Sequence, residues 1–164
     1  MVLRLAYEGE AELCYRFIEE ARAYQKRLGF VQWHEDYPTL EMLRRDIADR
    51  IGYVFAENDE ILGYCCITVG QEPAYQKIDG AWKTERPYAA IHRMAFGDHA
   101  RGRGLSHGAF RLLRAHCEQR QLSAIRIDTM AENGPMRHIL EREGFAFCGY
   151  VHNDGPRLAY EWDW

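Results

Sequence analysis

The sequence lacks any run of 18 or more apolar residues, the length that a membrane-spanning helix needs, so we expect no membrane partner. Its first residues, MVLRLAYEGEAELC, have neither the long apolar core nor the small-residue cleavage site of a secretion signal, and we therefore expect a cytoplasmic protein. The cysteines number five and no two of them form a CxxC pair. This pattern favours reduced, buried thiols over a disulfide framework.

Several motifs of known chemistry are also missing. No Gly-Lys-Ser/Thr follows a glycine-rich stretch, so the chain has no P-loop, and it has no GxSxG elbow. His34-Glu35 lacks the second histidine of an HExxH site, and the other histidines form no ligand-like grouping with cysteine, so we expect no bound metal. The net charge of −4 argues against nucleic acid as a partner.

The length of 164 residues suits one domain with its own core, and we predict a single domain over residues 1–164. Apolar periodicity and turn residues give the element order β-α-α-β-β-β-α-β-α-β-β. Strand–helix–strand units in the second half indicate parallel strands, whereas the hairpins require antiparallel ones. The sequence thus predicts an α/β (α+β) fold with a mixed, mostly antiparallel central sheet flanked by helices.

Local signals place the element boundaries. Thr39 is expected to cap the second helix, Asn58-Asp59 to turn a hairpin, and Gly144 to end the last helix. Residues 71–87 are polar, contain two prolines and are predicted to form the longest loop. The other main elements are predicted at 2–6 (strand), about 10–28 (helix), 88–96 (strand), 105–117 (helix), 123–130 (strand) and 135–143 (helix), with a final strand pair around 153–155.

The most informative segment is the turn over residues 101–108, RGRGLSHG, which joins a predicted strand to a predicted helix. Glycines let a backbone approach a ligand closely, a helix N-terminus attracts anions, and arginines donate to phosphate oxygens. These features favour a phosphate or pyrophosphate site over a turn that binds nothing. The segment also nearly fits the dinucleotide pattern GxGxxG, with Asp128 as the ribose-binding acid, although His107 takes the third glycine position.

The same segment resembles motif A of the GNAT family of N-acetyltransferases, Arg/Gln-x-x-Gly-x-Gly/Ala. Arg101 and Gly104 match this motif, and Ser106 replaces its final small residue. The resemblance continues through Asn133 and Gly144-Phe145, as in the family's motif B, and is to a bacterial branch of the family. It implies a GNAT fold with a splayed parallel strand pair, acetyl-CoA as co-substrate, and direct attack of a primary amine on the thioester.

The resemblance also implies how the coenzyme binds. The splayed strand would hold the pantetheine arm through its backbone, as if the arm were another strand, and the glycine-rich turn would hold the pyrophosphate. The coenzyme-binding positions that follow are Met94, Ala95, Phe96, Arg101, Gly102, Arg103, Gly104, Leu105, Ser106, Asn133 and Met136.

The reaction needs a base, because an amine is mostly protonated at neutral pH and must lose a proton before it attacks. His92 lies on the central strand and is of the residue type that changes charge near neutral pH. It could equally be hydrogen-bonded within the sheet. Asp128 is the other candidate, and its structural alternative is capping or an ion pair, for example with Arg126 or Arg93.

The acid is the second open question. Many family members have a tyrosine four residues before the motif B glycine, where this chain has Leu140. Cys148, Tyr150 and Tyr160 are candidate substitutes. Solvent could also protonate the leaving thiolate, because a coenzyme A thiol with a pKa like that of cysteine is a tolerable leaving group.

The acceptor is expected to be a small-molecule or peptide amine. In similar proteins the first two helices and their connecting loop line the acceptor side, which makes Trp33 and Tyr37 candidate substrate-binding residues. Aromatic rings beside carboxylates suit a cationic amine, and Glu35 and Asp36 lie between them. The two rings could equally pack the loop onto the sheet.

Two other functions stay open. The leucine at the family's tyrosine position favours a non-catalytic acyl-CoA-binding or sensor protein on the same fold. A dinucleotide-binding enzyme that uses Asp128 is the second alternative. A homodimer is compatible with the sequence, and the loop 71–87, with Tyr75 and Trp82, could cover a pocket or form a dimer contact.

Overall fold

The computed structural model describes residues 1–70 and 72–164. Within these residues four α-helices lie over Ala11–Arg27 (α1), Leu40–Ala48 (α2), Ser106–Glu118 (α3) and Gly134–Arg142 (α4). Eight strands lie over Val2–Leu5 (β1), Gly52–Glu57 (β2), Glu60–Val69 (β3), Asp79–Gly80 (β4), Tyr88–Phe96 (β5), Ala124–Thr129 (β6), Ala146–His152 (β7) and Pro156–Asp163 (β8). Short 3-10 helices lie over Glu8–Glu10 and Pro73–Lys77.

The described residues form two compact units. The first consists of Met1–Ile67 and His92–Leu112, and the second of Thr68–Ile91 and Leu113–Trp164. Strands β3 and β5 and helix α3 contribute residues to both units. The assignment of residues 1–164 to a single domain stays a prediction.

The strands are hydrogen-bonded in the order β1-β2-β3-β5-β6-β8-β7-β4. Antiparallel pairs join β1 to β2, β2 to β3, β6 to β8, β7 to β8 and β4 to β7. Strand β5 pairs in parallel with β6, and the register matches Tyr88–Ala90 with Ala124–Arg126 although β5 continues to Phe96. The predicted mixed, mostly antiparallel sheet with a splayed parallel pair is confirmed.

The core of the first unit lies between its helices and its strands. Phe17 and Ile18 of α1, Leu43 of α2 and Val54 of β2 belong to one buried cluster. Thr39 caps α2 as predicted, because its Oγ1 accepts a hydrogen bond from the Met42 N–H at 3.2 Å. Helical spacing of apolar residues therefore positions both helices on the sheet.

Both predicted hairpins are present. Asn58 (φ +49°) and Asp59 (φ +66°) are left-handed, as a two-residue turn between β2 and β3 requires. Asp154 (φ +52°) and Gly155 (φ +101°) turn the chain between β7 and β8. Gly144 (φ +89°) follows the end of α4, as predicted.

The segment 71–87 differs from the prediction of one long loop. It contains the 3-10 helix Pro73–Lys77 and strand β4, while Gln71 lies outside the described residues. Gly80 pairs with Gly149 of β7, and a Cβ on either would clash with a carbonyl of the opposite strand. A strand of two residues is too short to show alternation in the sequence. The backbone of β4 comes close to that of β7 because Gly80 pairs with Gly149, which lies 69 positions further along the chain.

The cysteines are free and buried, as the sequence predicted. Burial raises the pKa of the Cys14, Cys66 and Cys117 thiols to about 12, so these thiols stay protonated and unreactive at neutral pH. Across the described ranges, no helix combines the length and the apolar character needed to cross a membrane.

The β4–β7 contact predicts a difference between two glycine substitutions. Gly149→Ala and Gly155→Ala both place a side chain at positive φ, but only the methyl group on Gly149 would meet backbone, at the Asp79 carbonyl. We expect Gly149→Ala to lower the free energy of unfolding by about 1–3 kcal/mol more than Gly155→Ala does. Urea unfolding measures this difference, and equal losses would contradict the close approach of β4 and β7.

Candidate functional site

The end of β5 packs tightly on β3. A Cβ on Gly63 would lie 2.8 Å from the Ala95 carbonyl oxygen and 2.8 Å from Cδ1 of Phe96, so glycine is required there. The Phe96 ring stacks on the ring of Phe55, with centroids 5.1 Å apart. The side chain of Phe96 is therefore used in packing, which leaves its backbone as the part that could bind a coenzyme arm.

Arg93 interrupts the regular conformation of β5. Its φ is +52°, which is uncommon for a residue other than glycine. Its guanidinium donates two hydrogen bonds to Asp46 of α2, from Nε at 2.9 Å and from Nη2 at 2.8 Å. The Tyr64 hydroxyl on β3 donates a third hydrogen bond to Asp46 at 2.8 Å. This buried cluster joins α2, β3 and β5, and no local pattern in the sequence indicates it.

The glycine-rich turn lies between β5 and α3, and residues 97–100 separate it from the end of β5. The Arg101 N–H donates to the Gly97 carbonyl at 3.1 Å, and α3 begins at Ser106. Gly102 and Gly104 have φ values of +79° and +71°, and a Cβ on either would find no atom within 4 Å. The backbone conformation therefore favours glycine at both positions, and the space above them is open to a ligand.

The two arginines of the turn form surface ion pairs. Arg101 lies 2.9 Å from Asp98 and stacks over the Tyr24 ring, with its Cζ 4.2 Å from the ring centre. Nη2 of Arg103 lies 3.4 Å from Oε2 of Glu57, and Nη1 lies 3.9 Å from Oε2 of Glu60. Surface ion pairs contribute little stability. Either guanidinium can therefore turn to a more highly charged anion at small cost.

The remaining predicted coenzyme residues lie in the second unit, at the start of α4. Asn133 caps this helix, since its Oδ1 accepts a hydrogen bond from the Met136 N–H at 3.2 Å. Asn133 thus has a structural role in α4, independent of any ligand. Leu140, at the family's tyrosine position, is fully buried.

Two of the predicted catalytic residues have contrasting environments. His92 is half-buried on β5, directly before Arg93. Cys148 is buried in β7, and burial, together with the charge of Glu161, raises the pKa of its thiol. Of the other candidate acids, Tyr150 is exposed and Tyr160 is buried.

Asp128, the third predicted catalytic residue, belongs to a buried hydrogen-bond network. Its Oδ1 accepts hydrogen bonds from the Tyr75 hydroxyl at 2.7 Å and from Asn153 Nδ2 at 3.3 Å. Its Oδ2 lies 3.8 Å from Nε of Arg157. Burial and the Asp128 charge raise the pKa of Tyr75 well above its usual value, which keeps the donating proton on the hydroxyl.

The suggested pairing of Asp128 with Arg126 or Arg93 is wrong, because both arginines have other carboxylate partners. Arg93 binds Asp46, and Arg126 donates from Nε to Glu161 at 2.9 Å. The Arg126 guanidinium also lies between the Trp82 and Tyr88 rings, with Cζ 4.3 Å and 3.8 Å from their centres. Sequence reasoning could not find these partners, since they lie on separate elements.

The predicted acceptor residues contribute to the packing of the first unit. Trp33 is buried against the α1 and α2 cluster, and its backbone N–H donates to Gln25 Oε1 at 3.2 Å. Tyr37 is half-buried, and its hydroxyl accepts a hydrogen bond from Arg93 Nη1 at 3.4 Å. In the second unit, Tyr75 is likewise buried in the core, so its ring lines no open surface.

The comparison with known families matches this geometry. The family model of the Acetyltransferase (GNAT) family covers residues 14–145. The chain therefore belongs to the GNAT acetyltransferase family, a class of acyltransferases that use acetyl-CoA. This membership removes the support for a dinucleotide-binding enzyme.

Solved structures agree. A GNAT family acetyltransferase from Streptococcus agalactiae 2603 is 34% identical, with a TM-score of 0.88 over 99% of this chain and 94% of the other. One from Listeria monocytogenes 4b F2365 shares the fold at 16% identity, with a TM-score of 0.77 over 99% of this chain and 94% of that one. The aminoglycoside acetyltransferase AAC(6')-Ib, in complex with coenzyme A and kanamycin, shares it at 21% identity, with a TM-score of 0.71 over 99% of this chain and 94% of that one. No curated protein matches the chain.

The Asp128 network predicts unequal effects of two tyrosine substitutions. Tyr75→Phe removes a buried hydrogen bond to a carboxylate and should lower the free energy of unfolding by about 1.5–3 kcal/mol. Tyr88→Phe removes only a 3.3 Å hydrogen bond from the Glu72 N–H and should cost about 1 kcal/mol or less. Urea unfolding of both variants tests this order, and a Tyr75→Phe variant of unchanged stability would contradict the structural role of the network.

Proposed function

We propose that the chain transfers the acetyl group of acetyl-CoA to a primary amine of a small molecule or peptide. The amine nitrogen bonds to the acetyl carbonyl carbon, the carbon–sulfur bond of the thioester breaks, and coenzyme A leaves as a thiolate. The surplus proton of the amine passes to a base. The open glycine-rich turn between β5 and α3 is the observation that carries this proposal.

The coenzyme positions follow the family pattern. We propose that the backbone of Met94, Ala95 and Phe96 pairs with the amides of the pantetheine arm. The turn over 101–106 would hold the pyrophosphate through backbone N–H groups and the Arg101 and Arg103 guanidiniums. Asn133 and Met136 complete the proposed set. The open space above Gly102 and Gly104 supports this assignment, because a ligand backbone contact needs a residue without a Cβ.

His92 is the residue that we propose as the general base. It lies on the strand proposed to hold the acetyl-bearing arm, two residues before Met94, and it is half-buried. Asp128 is less suited to the role, because Tyr75 and Asn153 already donate to one of its oxygens. We propose that Asp128 instead positions Tyr75.

Cys148 stays the proposed acid. Its raised pKa keeps the thiol protonated at neutral pH, which is the state from which a proton can be donated. Because its pKa is raised, Cys148 is a weak proton donor to the less basic thiolate of coenzyme A. Protonation of the leaving group by Cys148 would therefore contribute less to the rate than proton removal by His92.

The loop between α1 and α2 is the proposed acceptor side. Glu35 and Asp36 are exposed there, next to the Tyr37 ring, and could attract a cationic amine. AAC(6')-Ib was solved with kanamycin, an aminoglycoside, which supports a small-molecule amine as one acceptor class to test.

Coenzyme binding is tested by a matched pair of glycine substitutions. Gly104 and Gly29 have φ values of +71° and +83°, and a Cβ on either would meet no atom within 4 Å. Alanine should therefore lower the free energy of unfolding by a similar amount at both sites. Gly104→Ala should weaken acetyl-CoA binding about tenfold because it strains the turn and fills the ligand space, whereas Gly29→Ala should bind like the unaltered chain.

Isothermal titration with acetyl-CoA measures both affinities. Equal affinity of the two variants would remove the turn from the proposed site. Absence of binding by the unaltered chain at high micromolar acetyl-CoA would overturn the proposed function.

The role of His92 has its own test. His92→Gln should lower kcat about 100-fold or more without raising KM for acetyl-CoA, because general-base catalysis acts on the chemical step. His152→Gln, at an exposed position of β7, is the matched control and should leave both constants unchanged. Thiol release with a panel of amines gives the rates. An unchanged kcat would assign proton removal elsewhere, and acetyl-CoA binding without turnover for any amine would favour the non-catalytic alternative.

A further inference from the structure

The buried Asp46–Arg93 pair makes more hydrogen bonds than are needed to anchor α2. Two hydrogen bonds of 2.8 and 2.9 Å join the carboxylate to the guanidinium, and the two side chains are only 8% and 15% exposed. The Tyr64 hydroxyl donates to the same carboxylate, and Tyr37 accepts from the same guanidinium. A buried bidentate pair with additional partners permits few other positions of the Arg93 side chain.

The backbone at Arg93 needs such a restraint. A residue other than glycine at positive φ is strained, and the conformation persists only where its surroundings hold it. A left-handed residue in a strand also bends the strand and interrupts its hydrogen-bond ladder. The segment Met94–Phe96 begins at the next residue, so its course depends on the φ of Arg93.

The space around the cluster is equally restricted. A Cβ on Gly52 would lie 3.0 Å from the Tyr64 hydroxyl and 3.3 Å from the backbone carbonyl carbon of Asp46. At the other end of the segment, Gly63 admits the Ala95 carbonyl and the Phe96 ring. Gly52 therefore leaves room for the contact between Tyr64 and Asp46, and Gly63 leaves room for the end of β5.

We propose that Asp46 is a positioning residue for the coenzyme: by clamping Arg93 it holds the left-handed backbone at that position and so sets the course of Met94–Phe96. The inference rests on the proposed function, because this segment is the one proposed to bind the pantetheine arm. Asp46 itself lies on α2 and acts through Arg93.

The test removes the Asp46 carboxylate and replaces Arg93 by glycine, which adopts a positive φ without hydrogen bonds to Asp46. Asp46→Asn should weaken acetyl-CoA binding about tenfold, and so should Asp46→Asn combined with Arg93→Ala. Asp46→Asn combined with Arg93→Gly should bind within about threefold of the unaltered chain, because glycine adopts positive φ without a side-chain anchor. All affinities are measured by titration at a temperature well below each variant's unfolding midpoint.

Arg50 provides the matched control. It has a φ of +58°, follows α2 and is exposed. Arg50→Ala and Arg50→Gly should differ in stability but bind acetyl-CoA equally. If the Arg93 clamp served only stability, the folded Arg93 variants would behave in the same way.

The outcomes separate the two claims. Tighter binding by the Arg93→Gly form than by the Arg93→Ala form, both carrying Asp46→Asn, supports the inference. Equal binding by these two forms overturns it and leaves the proposed function standing, provided that the unaltered chain binds. Failure of the unaltered chain to bind acetyl-CoA overturns the proposed function and this inference with it.

Discussion

The conformation of the first unit depends on one buried charge pair, Asp46 with Arg93. It fixes a left-handed residue in the middle of β5 and joins that strand to α2 and β3. Removing one partner would leave an uncompensated buried charge, so the cluster is retained as a whole or lost as a whole. Although burial opposes its charge, Arg93 has a raised pKa, partly because of Asp46, and thus is a cation at neutral pH.

A second set of buried polar contacts organises the other unit. Tyr75 reaches Asp128, and the Trp82 indole N–H donates to the Tyr75 carbonyl at 2.9 Å. Arg126 donates to the Thr84 carbonyl at 2.6 Å and binds Glu161, which in turn accepts a hydrogen bond from the Thr84 N–H. Tyr75, Trp82 and Thr84 are therefore anchored by hydrogen bonds within their own unit.

The sequence predicted those features whose signals are local. Thr39, Asn58-Asp59 and Gly144 each act within a few residues, so their cap, turn and stop were visible as patterns. The Asp46–Arg93 and Tyr75–Asp128 contacts join residues 47 and 53 positions apart, and no periodicity or spacing indicates such partners. Strand β4 was missed for the same reason, since its only signal is a glycine on another strand.

The candidate site likewise contains features with a local sequence signal and features that depend on contacts between distant residues. The glycine-rich turn is a local motif, and both its position after β5 and its left-handed glycines agree with the sequence-based expectation. Catalytic residues depend on how side chains from different elements meet the substrate, so His92 and Cys148 stay proposals. Asp128 shows how its surroundings change an interpretation: a carboxylate that the sequence offers as a proton acceptor already accepts a hydrogen bond from Tyr75.

The central claim is that the end of β5 and the turn that follows it bind acetyl-CoA. The most direct measurement is the change of backbone amide NMR shifts of ¹⁵N-labelled protein on addition of acetyl-CoA. We expect the largest changes at Met94–Phe96 and at Gly102–Ser106, with the β7–β8 hairpin turn at 153–155 unchanged. Saturable binding that leaves the amides of both segments unmoved would contradict it.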